Sequence, residues 1–175
     1  IGLARPGLLA LLLLRCLDVF KPWRWSGGEC TRDVWRVNLI WTLFPWTRWR
    51  WHRRVGSLAQ QHGNRPLIQA LLRRGSHPVV ITAGFGPIVT PLVAALGLPE
   101  AKIVAARLKS FDDRRLGKLY NATRILGQEA VCSGLFVTDS MDDLAMLQQC
   151  ARPVRTVWPA ARFRRALGHI YLPGS

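Results

Sequence analysis

The chain has 175 residues, 49% of them apolar and 20% charged, which suits one domain with room for a small insertion and excludes a disordered polyelectrolyte. Basic residues outnumber acidic ones 25 to 10, a formal net charge of +15, which favours anionic partners such as phosphorylated metabolites, nucleic acid or acidic lipid without naming one. Cys16, Cys30, Cys132 and Cys150 form no CxxC pair, and His52, His62, His77 and His169 are scattered, so no transition-metal site is expected and a reducing, cytoplasmic compartment is.

The first element is the apolar run 8–17, LLALLLLRCL. It is too short for a membrane span, which needs roughly 20 apolar residues. Arg15 directly before Cys16 is wrong for a small-residue signal cleavage site. The run is therefore expected to be a central strand, buried on both faces and ending at Asp18.

Between residues 22 and 63 the character changes. Seven of the eight tryptophans lie here, interleaved with arginine, and the periodicity is helical. Helices are expected over about 31–44 and 47–61, broken near Pro45. The alternation of Trp35, Trp41, Trp46, Trp49 and Trp51 with Arg36, Arg48, Arg50, Arg53 and Arg54 suits an interfacial segment on anionic lipid. It also suits single-stranded nucleic acid, or a helical cap packing its indoles inward. Only Lys21, Lys102, Lys109 and Lys118 are lysines, and a general preference for arginine accounts for the charge as well as any ligand does.

From residue 64 a helix is expected to 74, opened by Asn64. Strands over 77–82, 102–106, 134–138, 154–157 and 169–172 then alternate with helices over 86–96, 116–126, 141–150 and 160–167. Gly97 and Gly127 mark two of the helix ends. Repeated β-α-β units imply a mostly parallel sheet with helices on both faces, and ligands at the carboxyl ends of its strands.

One run concentrates the chemistry: LFVTDSMDDLAML, residues 135–147. Asp139 ends a strand and Asp143 follows in the first turn of the next helix, so both carboxylates can face the mouth of the sheet, where a hard cation needs oxygen. The same residues also read as an S-x-x-D helix cap from Ser140 to Asp143.

The run is similar to the G-D-S-x-x-D-L-x-M-L motif of the haloacid dehalogenase (HAD)-like hydrolase superfamily, in its phosphoserine phosphatase-like branch. Thr138 stands where that motif has glycine. The segment VVITAGF at 79–85 resembles the superfamily's second motif, and 91–98 and 153–172 continue the likeness. The resemblance implies a Rossmann-like three-layer α/β sandwich, with core residues 1–22 and 63–175 and a small helical cap over 23–62. It implies a Mg2+-dependent phosphatase acting on a small phosphorylated substrate through an aspartyl-phosphate on Asp18.

On the same resemblance Thr82, with Ala83 beside it, would bind the phosphoryl group, although Thr82 also suits a capping role. Lys118 would stabilise phosphoryl charge and nucleophile, with Arg124 as its rival. Mg2+ would be held by Asp18, the Phe20 carbonyl, Asp139 and Asp143. The first motif departs from the pattern: LDVFKPW at 17–23 has Phe20 where a second aspartate serves as general acid and Pro22 where threonine is usual. Losing that acid removes roughly 10²–10⁴-fold in rate. The competing expectation is a catalytically degenerate domain that serves as a membrane-surface or partner-binding module, docking through residues 35–54; nucleic acid is the least expected partner.

Overall fold

The computed structural model describes residues 6–65, 68, 69, 72 and 77–155. The expected helix at 160–167, the strand at 169–172 and much of the helix at 64–74 lie outside those residues.

The first described element is a helix where a strand was expected. α1 spans Pro6–Phe20. Its sequence explains the correction, since residues 8–17 are leucine, alanine, arginine and cysteine without one β-branched side chain. Leucine and alanine are strong helix formers, whereas strands favour branched and aromatic residues. Proline at the first helical position suits a helix start. The helix stops at Lys21, whose φ of 48° is left-handed, and Pro22 follows. Ala10, Leu13, Leu14, Leu17 and Asp18 form a half-buried face, while Leu8, Leu9, Leu11, Leu12, Val19 and Phe20 are exposed.

Two 3-10 turns, Pro22–Trp25 and Glu29–Thr31, fold tightly around Trp23. Its ring is buried and its Nε1 donates to Glu29 Oε1 at 2.8 Å. Fully buried Thr31 donates to the Gly28 carbonyl at 2.9 Å. The expected pair of helices follows as α2, Arg32–Leu43, and α3, Trp46–His62, broken at Pro45.

The expected alternation then appears. β1 is Val79–Phe85, α4 Gly86–Ala95, β2 Lys102–Ala106, α5 Phe111–Arg115, α6 Gly117–Leu126, α7 Gln128–Ser133, β3 Leu135–Thr138, α8 Leu144–Gln149 and β4 Arg152–Arg155. Gly97 and Gly127, with φ of 87° and 91°, end α4 and α6 in conformations that favour glycine. β1 pairs with β2 and β3 with β4, both in parallel. The chain is thus mixed α/β, and its described strands form two separate two-stranded sheets instead of the single sheet expected.

Two apolar clusters hold these parts together. Val104, Ala122, Val131 and Met146 are buried with Ile81 and Phe136 against them, so β1, β2 and β3 share one core. Val34 of α2 is buried with Phe85 and Ala106, the last residues of β1 and β2. The Asn38 amide donates to the Leu108 carbonyl at 2.8 Å, and the Trp51 indole to that of Ile88 at 3.0 Å. The Trp/Arg helices therefore pack at the carboxyl ends of β1 and β2.

The connection leaving β2 is organised by buried Asp113. Its carboxylate accepts from the Arg107 backbone N–H, Nε and Nη2, each at 2.9 Å, and from the Ser110 hydroxyl at 3.0 Å. Hydrogen bonding from Arg107 holds its carboxyl down at about 2, below the usual 3.8 and against the opposing effect of burial. Ionised Asp113 thus stabilises the fold in full above its unfolded value, and this contribution is lost as pH falls through about 2. The shift corresponds to about 2 kcal/mol. Urea unfolding of Asp113→Asn should show that deficit at pH 6, and the gap from the parent should close as pH approaches 2.

Candidate functional site

The most chemically loaded arrangement lies at the end of β3. Lys118 on α6 and Asp143 are 25 residues apart in sequence, yet Nζ lies 2.6 Å from Oδ1 and 2.8 Å from Oδ2. The Thr138 hydroxyl, from the last residue of β3, donates to Asp143 Oδ2 at 2.7 Å and accepts from the Ser140 N–H at 3.1 Å. Asp143 and Thr138 are buried. A buried carboxylate requires a cation and hydrogen bonds, and this one has both. Ser140 caps the following turn by accepting from the Asp142 N–H at 3.2 Å. Asp143 is therefore turned inward and is not a cap. Lys118, and not Arg124, is its cation; Arg124 approaches Asn121 and Asp113.

Asp139 is exposed, one residue past β3. It does not share the buried environment of Asp143, although the two were expected to face a common cation.

β1 carries the two expected phosphoryl contacts in a bulge. Ile81 pairs with Val104 and Phe85 with Ala106, so Thr82, Ala83 and Gly84 together oppose a single β2 residue. Thr82 Oγ1 accepts from the Gly84 N–H at 3.0 Å, a local bond of the capping kind. The Ala83 carbonyl accepts from Arg114, which also donates to the Cys30 carbonyl at 3.1 Å and pairs with Asp33 at 3.2 Å. Gly84 has no room for a side chain, because a Cβ there would lie 2.9 Å from Val89 Cγ2. Bulges re-aim groups beside functional sites, and here the bulge clamps β1 to α2 and the 22–31 turns.

Asp18 stands apart from the role expected of it. It lies on α1 instead of at a strand end, and Arg36 Nη2 contacts both its oxygens, at 2.7 and 2.6 Å. A carboxylate held this way joins two helices and is ill placed to attack phosphorus. Phe20, the last residue of α1, is exposed beside it. Among the described residues, which include Asp18, Asp139 and Asp143, no three carboxylate, His or Cys side chains gather to hold a metal. Both Asp143 oxygens are engaged by Lys118 and Thr138. The donor set therefore does not fit the Mg2+ expected from the first and last motifs.

Asp18, Thr82, Lys118 and Asp143 thus each have polar partners within the protein. No protein-family model, characterised protein or solved structure matches the chain.

Sequence reasoning passed over Asp113, although Ser110-x-x-Asp113 is a readable cap motif, and Ser110 Oγ does accept from the Asp113 N–H. It also passed over Arg107, which pairs with Asp113 six residues on, and Arg114, whose partners are Asp33 and the Ala83 and Cys30 carbonyls, remote in sequence.

Burial separates the two ion pairs. Asp143→Ala should cost about 3 kcal/mol by urea unfolding, because it strands Lys118 and the Thr138 hydroxyl. Asp18→Ala should cost under about 1 kcal/mol, since its pair with Arg36 is partly exposed.

Proposed function

We propose that this chain is a HAD-like α/β domain that is catalytically degenerate and works at an anionic membrane surface. One observation carries the reading. α1 leaves Leu8, Leu9, Leu11, Leu12, Val19 and Phe20 in water, on a helix whose other face is only half-buried. Exposed apolar surface of this extent marks an interaction site. Each half-exposed leucine withdrawn from water is worth on the order of 1 kcal/mol.

As described, over Pro6–Phe20, α1 is not long and apolar enough to cross a bilayer, nor is any other described helix. It suits a position within the interface.

Charge selects the lipid. α3 exposes Trp46 and Trp49 together with Arg48, Arg50, Arg53 and Arg54, and has no acidic residue. Arg53 lies over the Trp49 ring at 3.8 Å and Arg48 over Trp41 at 4.5 Å. Indoles settle at headgroup depth, and each arginine near an anionic surface adds about 1 kcal/mol, screened by salt. The degenerate first motif supports the non-catalytic part of the reading, as do the Asp18–Arg36 pair and the occupied Asp143.

Co-sedimentation with vesicles of phosphatidylcholine and phosphatidylserine tests it. Binding is expected at low salt, weaker on phosphatidylcholine alone and at least about tenfold weaker for Leu12→Glu. No binding to anionic vesicles at low salt would refute the proposal. So would a dimer in which α1 is already covered by a second copy.

A second reading, phosphoester hydrolysis through Asp18, is favoured by the meeting of Lys118 and Asp143 where the phosphatase resemblance expects both. A phosphoester panel with Mg2+ separates the two. Degeneracy predicts the same background rate for the parent and Asp18→Asn, whereas hydrolysis through Asp18 predicts loss of activity in the variant.

A further inference from the structure

Beside the carboxyl end of β2 lies an open cleft of about 910 Å³, within the size range of small-molecule sites. Its walls come from the 22–31 turns, α2 and the segment leaving β2. They combine three aromatic rings, Trp25, Trp35 and Phe111, with three cations, Arg107, Lys109 and Arg115, and one carboxylate, Asp112. None of these residues belongs to the Lys118–Asp143 centre.

The aromatic floor is built in advance. Trp35 stacks on Phe111 with centroids 5.7 Å apart, and its Nε1 donates to Ser26 Oγ at 2.8 Å. The stem of Arg115 packs over Gly27, where a Cβ would lie 2.5 Å from Arg115 Cδ. Gly27 has φ of 122°, a backbone conformation that favours glycine.

The charges divide into engaged and uncommitted. Arg107 is engaged by Asp113, and Arg115 by Asp112 at 3.2 Å. Exposed Lys109 has no hydrogen-bond or ion-pair partner among the described residues. Trp25 is the most exposed large apolar side chain among the described residues, at 86%. A free indole and a free ammonium thus line one cleft that already holds a fixed aromatic pair.

We propose that this cleft binds a nucleotide, its base stacking on the tryptophans and its phosphate meeting Lys109. A purely apolar ligand would leave the ammonium unused. A simple anion would leave the rings unused. A planar aromatic group carrying a phosphate uses both, as base stacking does at other aromatic and basic surfaces. The site stands independently of the membrane reading, which rests on α1 and α3.

Isothermal titration of the full chain with AMP, adenosine, inorganic phosphate and a short single-stranded oligothymidylate tests the proposal. AMP should bind saturably, and adenosine or phosphate alone at least about tenfold more weakly. Trp25→Ala and Lys109→Ala should each weaken AMP about tenfold, in keeping with the usual worth of one stacked base. Both side chains are exposed, and unchanged circular dichroism and urea midpoints would confirm that each variant folds. The proposal is overturned if AMP gives no binding at millimolar concentration, if both variants bind it as the parent does, or if the oligonucleotide binds and AMP does not.

Discussion

The carboxylate of Asp113 is the constraint on which much of this molecule depends. It is buried where β2 ends, and a buried negative charge is tolerable only when its lone pairs are filled. Arg107 fills them from the backbone and the guanidinium, and Ser110 adds its hydroxyl. The Asp113 carbonyl accepts from Asn121 on α6 at 2.7 Å, and the same amide reaches the Gly117 carbonyl. One residue thereby sets the path of the chain out of β2 and the position of α6. The first of these places Lys109 in the aromatic cleft. The second places Lys118 against Asp143.

Around that hub, polar groups with apparent chemical potential are turned to structural use. Lys118, Asp143 and Thr138 close on one another, Arg114 gathers β1, α2 and the Cys30 carbonyl, and Asp18 meets Arg36. The cysteines divide similarly. Cys150 is buried and its thiol is pushed up by desolvation, which makes it a poor nucleophile, whereas Cys16 and Cys30 are free and exposed. What the fold leaves unspent is apolar and aromatic surface beside uncommitted positive charge.

The membrane and nucleotide readings draw on different parts of that surface. α1 offers aliphatic side chains without a fixed pocket, which suits a fluid interface. The cleft offers rings already held by Ser26 and Phe111, which suits a small rigid ligand because little ordering remains on binding. A net charge of +15 assists both. Charge alone could not distinguish them, since long-range attraction is blind to the shape that receives the anion.

Local pattern by itself determined the alternation of β1 through β4 with helices, the break at Pro45 and the stops at Gly97 and Gly127, because strand and helix periods and glycine's left-handed freedom act over a few neighbouring residues. It also brought Asp143 to notice, though not its inward turn; Lys118 was singled out only by the resemblance to the phosphatase motifs. Tertiary structure decided whatever required a distant partner: the ion pairs of Arg36 with Asp18 and of Arg114 with Asp33, and the joining of Trp25, Trp35, Phe111 and Lys109 in one cleft. The run at 8–17 misled for the same reason. An unbroken apolar stretch does not reveal whether both faces will be covered, and here leucine's helical preference prevailed where no sheet enclosed it.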